Sequence, residues 1–409
     1  ILVAQLFPFR ALRPAAAAAA QVAAVPYDVV NVEEARALAE GNQLSFLHVT
    51  RSEIDLPADV HPYDDAVYRR AAANLETLKH AAPLVVDPEP AVYCYRLRMG
   101  SHEQTGLCGC FSIDEYESGL IRKHETTRRD KEDDRTRHIT ELRAQTGLVF
   151  LTYRASADVD AIVNRVSQRP PLYDFVAADA VAHAVWKVVG ADRDSLVAAF
   201  ARLDALYVAD GHHRAASAAR ARQRLSDSAS GELARAEMNR FVAVAFPHNQ
   251  VQMLPYNRVV KDLAGQTPEA FLAALRSKLP VRDGTPTPPR AGHISMFLAG
   301  QWHSIELPHA EGTSRPEGLD VEVLQKKVLE PLLKVGDPRS DSRIDFVGGI
   351  RGTAELERLV STGRAAVAFS MAPVSVSDLM TIADGGGIMP PKSTWFEPKL
   401  RDGLLVHLI

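Results

Sequence analysis

The chain of 409 residues is 46% hydrophobic and 24% charged, a composition that excludes a largely disordered protein and leaves room for two or three packed domains. Its 47 Lys and Arg against 51 Asp and Glu leave a formal net charge of -4, so no global field favours nucleic acid or an anionic membrane as partner. Three cysteines, Cys94, Cys108 and Cys110, are too few for a disulfide scaffold and lack the paired spacing of a zinc site; with no apolar run near the roughly 20 residues of a membrane helix, a cytoplasmic protein is expected.

In chain order, Pro26-Tyr27-Asp28 marks a turn, residues 32–40 read as a helix rich in Ala and Glu, and 64–80 as a longer one. Residues 92–99 and 107–113 are β-rich and flank Gly100-Ser101-His102, which predicts a hairpin. Cys108 and Cys110 fall on one face of its second strand and read as packing residues. A charge block over 118–144 ends at Gln145-Thr146-Gly147 and is followed by a strand at 148–153. A helix at 158–166, short strands around Tyr173 and Val185, a helix at 192–202 and the apolar run 205–209 come next. Beyond residue 230 the pattern predicts a strand at 241–246, then a helix capped by Thr267 with Pro268 in its first turn. Residues 285–289 read as a Pro-rich linker, 294–298 with 302–307 as a hairpin about Gly300, and Asp320 as the cap of a helix to Lys334. This alternation predicts an α+β protein: an N-terminal region over 1–230 and a C-terminal α/β domain over 231–409.

The most informative segment is an apolar strand that meets Asp210-Gly211-His212-His213-Arg214 and then an alanine-rich helix. Amides at a helix start lack intrahelical partners and sit at the positive end of the dipole, so such a corner attracts anions, and Gly211 lets a ligand approach the backbone. His212, His213 and Arg214 add side-chain donors, Arg214 with bidentate geometry. The bland alternative is a capping aspartate followed by two surface histidines. Against it, cationic groups at a helix N-terminus oppose the dipole unless an anion is bound.

A second constellation is Lys123-His124-Glu125-Thr126, followed by a densely charged stretch to Arg135. As a helix this stretch puts Arg128, Lys131, Glu132 and Arg135 on one stripe, which by composition alone is a solvated, salt-bridged face. The residues before it combine a cation, an imidazole, a carboxylate and a hydroxyl. Phosphoryl transfer needs those types: cations against spreading charge, a carboxylate for Mg²⁺, and a base for the attacking hydroxyl. The expected assignment is Glu125, His124 and Asp210 as catalytic groups, with Glu125 and Asp210 also offered to Mg²⁺. Lys123, Thr126, Arg128, Gly211, His212, His213 and Arg214 are the expected binders of ADP or ATP phosphates. Lys392, presented by Pro390-Pro391, is a further one. No Gly-x4-Gly-Lys-Ser/Thr loop and no His-Glu-x-x-His pattern occurs.

Asp-Gly-His-His-Arg after a strand resembles the phosphate-binding turn of the ParB/sulfiredoxin superfamily. His212 stands where sulfiredoxin has its attacking cysteine, which speaks against that redox chemistry. The arrangement is closer to the Asp-Gly-x-His-Arg of the superfamily's free-serine kinases, which transfer phosphate from ADP or ATP to the amino-acid hydroxyl. Pro26 to Val30, Ser45 to Val49, Tyr256 to Leu263, Asp345 to Gly352 and Met389 to Lys399 resemble the domain-of-unknown-function family numbered 1015 over nearly the whole chain. These resemblances imply mixed sheets with a ParB/sulfiredoxin-like core plus additional α/β subdomains, and place Asp28 and Arg51 beside the phosphate turn. They imply a small-molecule kinase acting from ADP or ATP on a hydroxyl, with free serine as acceptor. Two alternatives stand. One is a nucleotide-binding regulatory protein of ParB type, although residues 225–238 are short and partly acidic for a DNA-reading helix-turn-helix. The other is a nucleotide or phosphoester hydrolase. The expected partners are a nucleotide and a small-molecule substrate, without membrane or nucleic acid; a homo-oligomer is compatible with the sequence.

Overall fold

The aromatic and aliphatic residues Val92, Tyr93, Tyr95, Leu97, Leu107 and Phe111 make Val92–Met99 and His102–Ser112 a hairpin, with Gly100 at φ 58° in a turn tight enough to set Met99 opposite His102. The second strand starts five residues before the predicted 107, because Gln104 and Thr105 continue the ladder against Leu97 and Arg96. This is a computed structural model that describes residues 4–226, 231–308 and 316–409. The chain forms two compact units, residues 1–251 with 398–409, and residues 252–397.

The first unit is built on a mixed sheet of nine strands. Its order is Ile121–Arg122, Leu206–Asp210, Val149–Tyr153, Arg240–Pro247, His102–Ser112, Val92–Met99, Ala182–Val188 and Tyr173–Val176, with Leu6–Phe7 paired beside Phe111. Leu206–Asp210 is parallel to Ile121–Arg122, and Val149–Tyr153 is parallel to Arg240–Pro247. The fold is α+β, as expected. Arg240–Pro247 lies in the middle of this sheet, and residues 398–409 rejoin the unit through the Leu12–Val406 and Ala24–Asp402 bridges. The compact units therefore divide at other places than residue 230: a strand's composition does not say which sheet it joins.

The charge block becomes the helix Arg129–Leu142, which is not the solvated face that its composition suggests. Asp134, Thr136, His138, Ile139 and Leu142 are buried, because the helix packs against Asp65–Ala81 and His212–Leu225. Tyr68 donates its hydroxyl to Asp134 (2.8 Å), and the Ser217 hydroxyl donates to the Glu132 carbonyl (3.2 Å). Ala215, Ala218 and Ala219 are the small buried residues that let the helix His212–Leu225 lie close on the core of the sheet. Apolar packing of Phe111, Tyr153, Phe200 and Phe241 supplies the core of the unit. Cys94, Cys108 and Cys110 are buried free thiols. Among the described residues no helix is long and apolar enough to cross a membrane.

The second unit carries an antiparallel six-stranded sheet, ordered Val281–Asp283, Gln301–Glu306, His293–Leu298, Val367–Ser370, Tyr256–Val260 and Ile344–Gly348. Thr267 caps Pro268–Arg276 as predicted, its hydroxyl accepting the Ala270 amide at 3.2 Å. Residues 285–289 are a loop between two strands of this sheet rather than a linker. Asp320 does not cap its own helix. Its carboxylate accepts the Gly292 N–H at 3.0 Å and ties down the loop before His293, while the helix beginning at Asp320 takes a π-helical turn over Gln325–Leu329 and ends at Lys334 (φ 55°).

Candidate active site

The parallel register of Leu206 with Ile121 and Tyr207 with Arg122 sends both chains out of the sheet at the same edge. Lys123 to Arg128 thereby meets Asp210 to His213, although 85 residues separate Arg128 from His213. Gly211, at φ 87°, turns the strand into the helix His212–Leu225, whose own ladder starts with Ala215 N–H to the Gly211 carbonyl (3.1 Å). A Cβ on Gly211 would stand 3.2 Å from an Arg214 guanidinium nitrogen and 3.4 Å from the Val149 Cα. Gly211→Ala should therefore cost about 1–2 kcal/mol through its left-handed backbone; urea unfolding with an unchanged midpoint would contradict this.

Asp210 has both oxygens engaged: one accepts the Gly211 amide (2.8 Å), the other the Lys399 ammonium (2.9 Å). Burial raises this carboxyl, but Lys399 and Arg214 outweigh it and hold it well below the usual range. The expectation that Asp210 offers a free carboxylate to a metal therefore fails in this arrangement. His124 and His212 are buried with their rings edge to face, centroids 4.5 Å apart. Burial lowers His124 to about 4, against the weaker opposing pull of the Val208 backbone and Asp210. Burial and the neighbouring His124 lower His212 well below its ordinary value. Both imidazoles are neutral at pH 7. Neither opposes the helix dipole, so the electrostatic argument made from the sequence for cations at this N-terminus does not hold for His212.

The Glu125 carboxylate lies 3.7 Å from His212 Nδ1 and is 42% exposed, which places it on the open side of the corner. His213 Nε2 accepts the Arg128 amide (3.0 Å) and so closes the loop before the helix Arg129–Leu142. Lys123 stands over the Tyr116 ring at 4.4 Å, and Thr126 is exposed. The Arg128 guanidinium is exposed and pairs with Asp130 (2.9 Å). Arg51 pairs with Glu53 (3.2 Å). Lys392 lies in the second unit, its ammonium 5.6 Å from the Tyr256 ring centre.

Arg214 points inward rather than outward. Its guanidinium donates to the Leu148 carbonyl and to both Asp28 oxygens (3.0 and 3.1 Å) and is buried. It lines a cavity of about 30 Å³ with Tyr27, Arg135, His138, Gly147 and Asp402, room for a water or two. Burial pushes the Asp402 carboxyl up to about 7, against the pull of Arg214.

The structure thus brings together the two segments singled out in the sequence, and adds Lys399 beside Asp210 and Asp402 near Arg214, which the sequence did not single out. Lys399 belongs to the distinctive run from Met389, but nothing local to that run announces that its last residue meets Asp210.

Residues 6–326 match the family described as "Protein of unknown function (DUF1015)". The chain belongs to that family. Among curated proteins none matches this DUF1015 chain. Solved structures similar to it include a free serine kinase in complex with AMP, at 14% identity and a TM-score of 0.36, over 72% of this chain and 91% of that one. A conserved hypothetical protein from Pyrococcus furiosus is similar at 15% identity and a TM-score of 0.36, over 74% of this chain and 95% of that one. SbnI with a C-terminal truncation, from Staphylococcus aureus, is similar at 14% identity and a TM-score of 0.38, over 74% and 87%.

Proposed function

We propose that the chain binds the phosphates of ADP or ATP at the corner between Leu206–Asp210 and His212–Leu225, and transfers a phosphoryl group to the hydroxyl of a small molecule such as free serine. The observation that carries the reading is the convergence of Lys123–Arg128, the helix start at Gly211 and Lys399 on one edge of the sheet. Helix-start amides and an ammonium held beside them by a carboxylate are donors that a phosphate can recruit. The choice of serine rests on the likeness of Asp210 to Arg214 to the free-serine kinase pattern alone.

In this reading Lys399 and Lys123 neutralise charge on the phosphates, and Asp210 positions Lys399. Glu125, on the open side, accepts the proton of the attacking hydroxyl as the new P–O bond forms and the nucleotide leaves with the old bond's oxygen. Arg214 holds the corner from below through Leu148 and Asp28 rather than gripping phosphate. Asp210 and Glu125 do not fit as a Mg²⁺ cage, since Asp210 is already engaged on both oxygens. A cytoplasmic setting agrees with three buried free thiols.

The test is calorimetric titration of the full chain with ADP and ATP, followed by mass spectrometry of reactions containing serine. Lys399→Met should weaken nucleotide binding by about 1.5–3 kcal/mol, the worth of a charge-assisted bond to phosphate. Phosphoserine should form with the wild type and fall with Glu125→Gln. Absence of nucleotide binding at millimolar concentration, or wild-type affinity in Lys399→Met, would refute the reading.

A further inference from the structure

We propose that His124, Glu125 and His212 form a binding site for one divalent transition-metal ion. The ligand atoms of these three residues all lie within 4.8 Å of one another. His124 stands two residues past the strand Ile121–Arg122, and His212 is the first residue of its helix, so both imidazoles are held next to ordered elements. His124 is 1% exposed and His212 3%.

The second, independent observation is that the nitrogens are left over. Nδ1 of His212 faces Glu125 at 3.7 Å, while its Nε2 is buried without a hydrogen bond; on the His124 ring the Val208 backbone is the one polar neighbour, which leaves a ring nitrogen over there too. Folded proteins rarely leave such groups without a partner, and each exception calls for an explanation such as an ion. The other comparable group among the described residues, Cys110 with Glu237 and His407, is partly satisfied by its own His407–Glu237 bond at 2.8 Å.

The donor set selects the metal. Two imidazoles and one carboxylate suit zinc, cobalt, nickel or iron, whereas Mg²⁺ requires oxygen ligands. Three protein ligands leave a coordination position open. Nitrogen ligands about 2.1 Å from a tetrahedral ion stand roughly 3.4 Å apart, so the group must draw together slightly, and the half-exposed Glu125 is the member with room to move. A carboxylate has two oxygens; one on the metal leaves the other to accept a proton. The site needs no nucleotide, so it stands or falls apart from the phosphotransferase reading.

The full chain, stripped with a chelator and dialysed, is titrated with Co²⁺ alone. One Co²⁺ per chain is expected, with visible d–d absorption, displaced by equimolar Zn²⁺ and retained in a large excess of Mg²⁺. His124→Asn and His212→Asn should each weaken Co²⁺ binding by at least about 100-fold, beyond the loss that follows from removing a ligand's supporting partner. No stoichiometric uptake, equal competition by Mg²⁺, or wild-type affinity in either variant overturns the proposal. Should the variants fail to fold, X-ray absorption of the Zn²⁺-loaded wild type decides: two imidazoles and a carboxylate are expected, and an all-oxygen shell overturns it.

Discussion

Arg214→Ala is expected to lower the free energy of unfolding by about 2–3 kcal/mol, the cost of losing charge-assisted hydrogen bonds from a buried guanidinium to a carbonyl and to a carboxylate that stays partly in water. The guanidinium is buried and holds the Leu148 carbonyl and both oxygens of Asp28. It also offsets part of the charge of Asp402, which lines the same small cavity, so its loss takes a donor from the Leu148 carbonyl, a cation from the part-exposed Asp28 and a favourable charge from beside Asp402. Arg214→Lys should recover little, because an ammonium cannot reproduce the fork that reaches Leu148 and Asp28 together. Urea unfolding monitored by circular dichroism checks this. A loss under about 1 kcal/mol for the alanine variant would mean that this inward network does not hold the corner.

Asp402→Asn should have the opposite effect and depend on pH. The folded protein raises this carboxyl from 3.8 to about 7, with burial as the main cause. A raised carboxyl favours the fold while protonated, so its contribution is complete below pH 4 and is lost as pH rises through 7. Asparagine is neutral throughout. The variant should therefore exceed the wild type by about 3–4 kcal/mol at pH 8, a difference that disappears towards pH 4. Four buried histidines, His124 and His212 among them, work the other way. Burial and Arg135 lower His138 to about 4, and burial and Arg401 lower His183 to about 3. The unfolded chain binds protons at these sites below 6.5 and the folded one does not, so stability falls as pH drops from 6.5. From pH 6.5 to 5 each of these histidines should remove about 1.5 kcal/mol and Asp402 should return about 2. The acid limb must then be steeper in Asp402→Asn than in the wild type. Parallel limbs, or no gain at pH 8, would sink the assignment.

The corner was legible in the sequence because it is local. An apolar run, a glycine and an alanine-rich stretch specify strand, left-handed turn and helix within a dozen residues, and Gly211 has the positive φ which that pattern demands. The chemistry of Lys123 to Thr126 was legible as residue types, while its neighbour was not, since the parallel pairing of Ile121 with Leu206 is a property of the sheet. Arg214 shows the limit most clearly. Its type suggested phosphate, but its direction was decided by Asp28, 186 residues away, and by the carbonyl of Leu148. Likewise the stripe of charge after Arg128 read as a solvated face, because no composition reveals that helices will cover it on two sides.

The return of residues 398–409 to the first unit has a consequence for how the protein is made. Asp210 leaves the ribosome 189 residues before Lys399, so the nascent chain carries this aspartate without its ammonium, and the cradle is finished only after all of the second unit has been synthesised. A chain interrupted anywhere within that second unit would hold the turn, the helix and the imidazoles, yet lack the cation proposed to meet the phosphates.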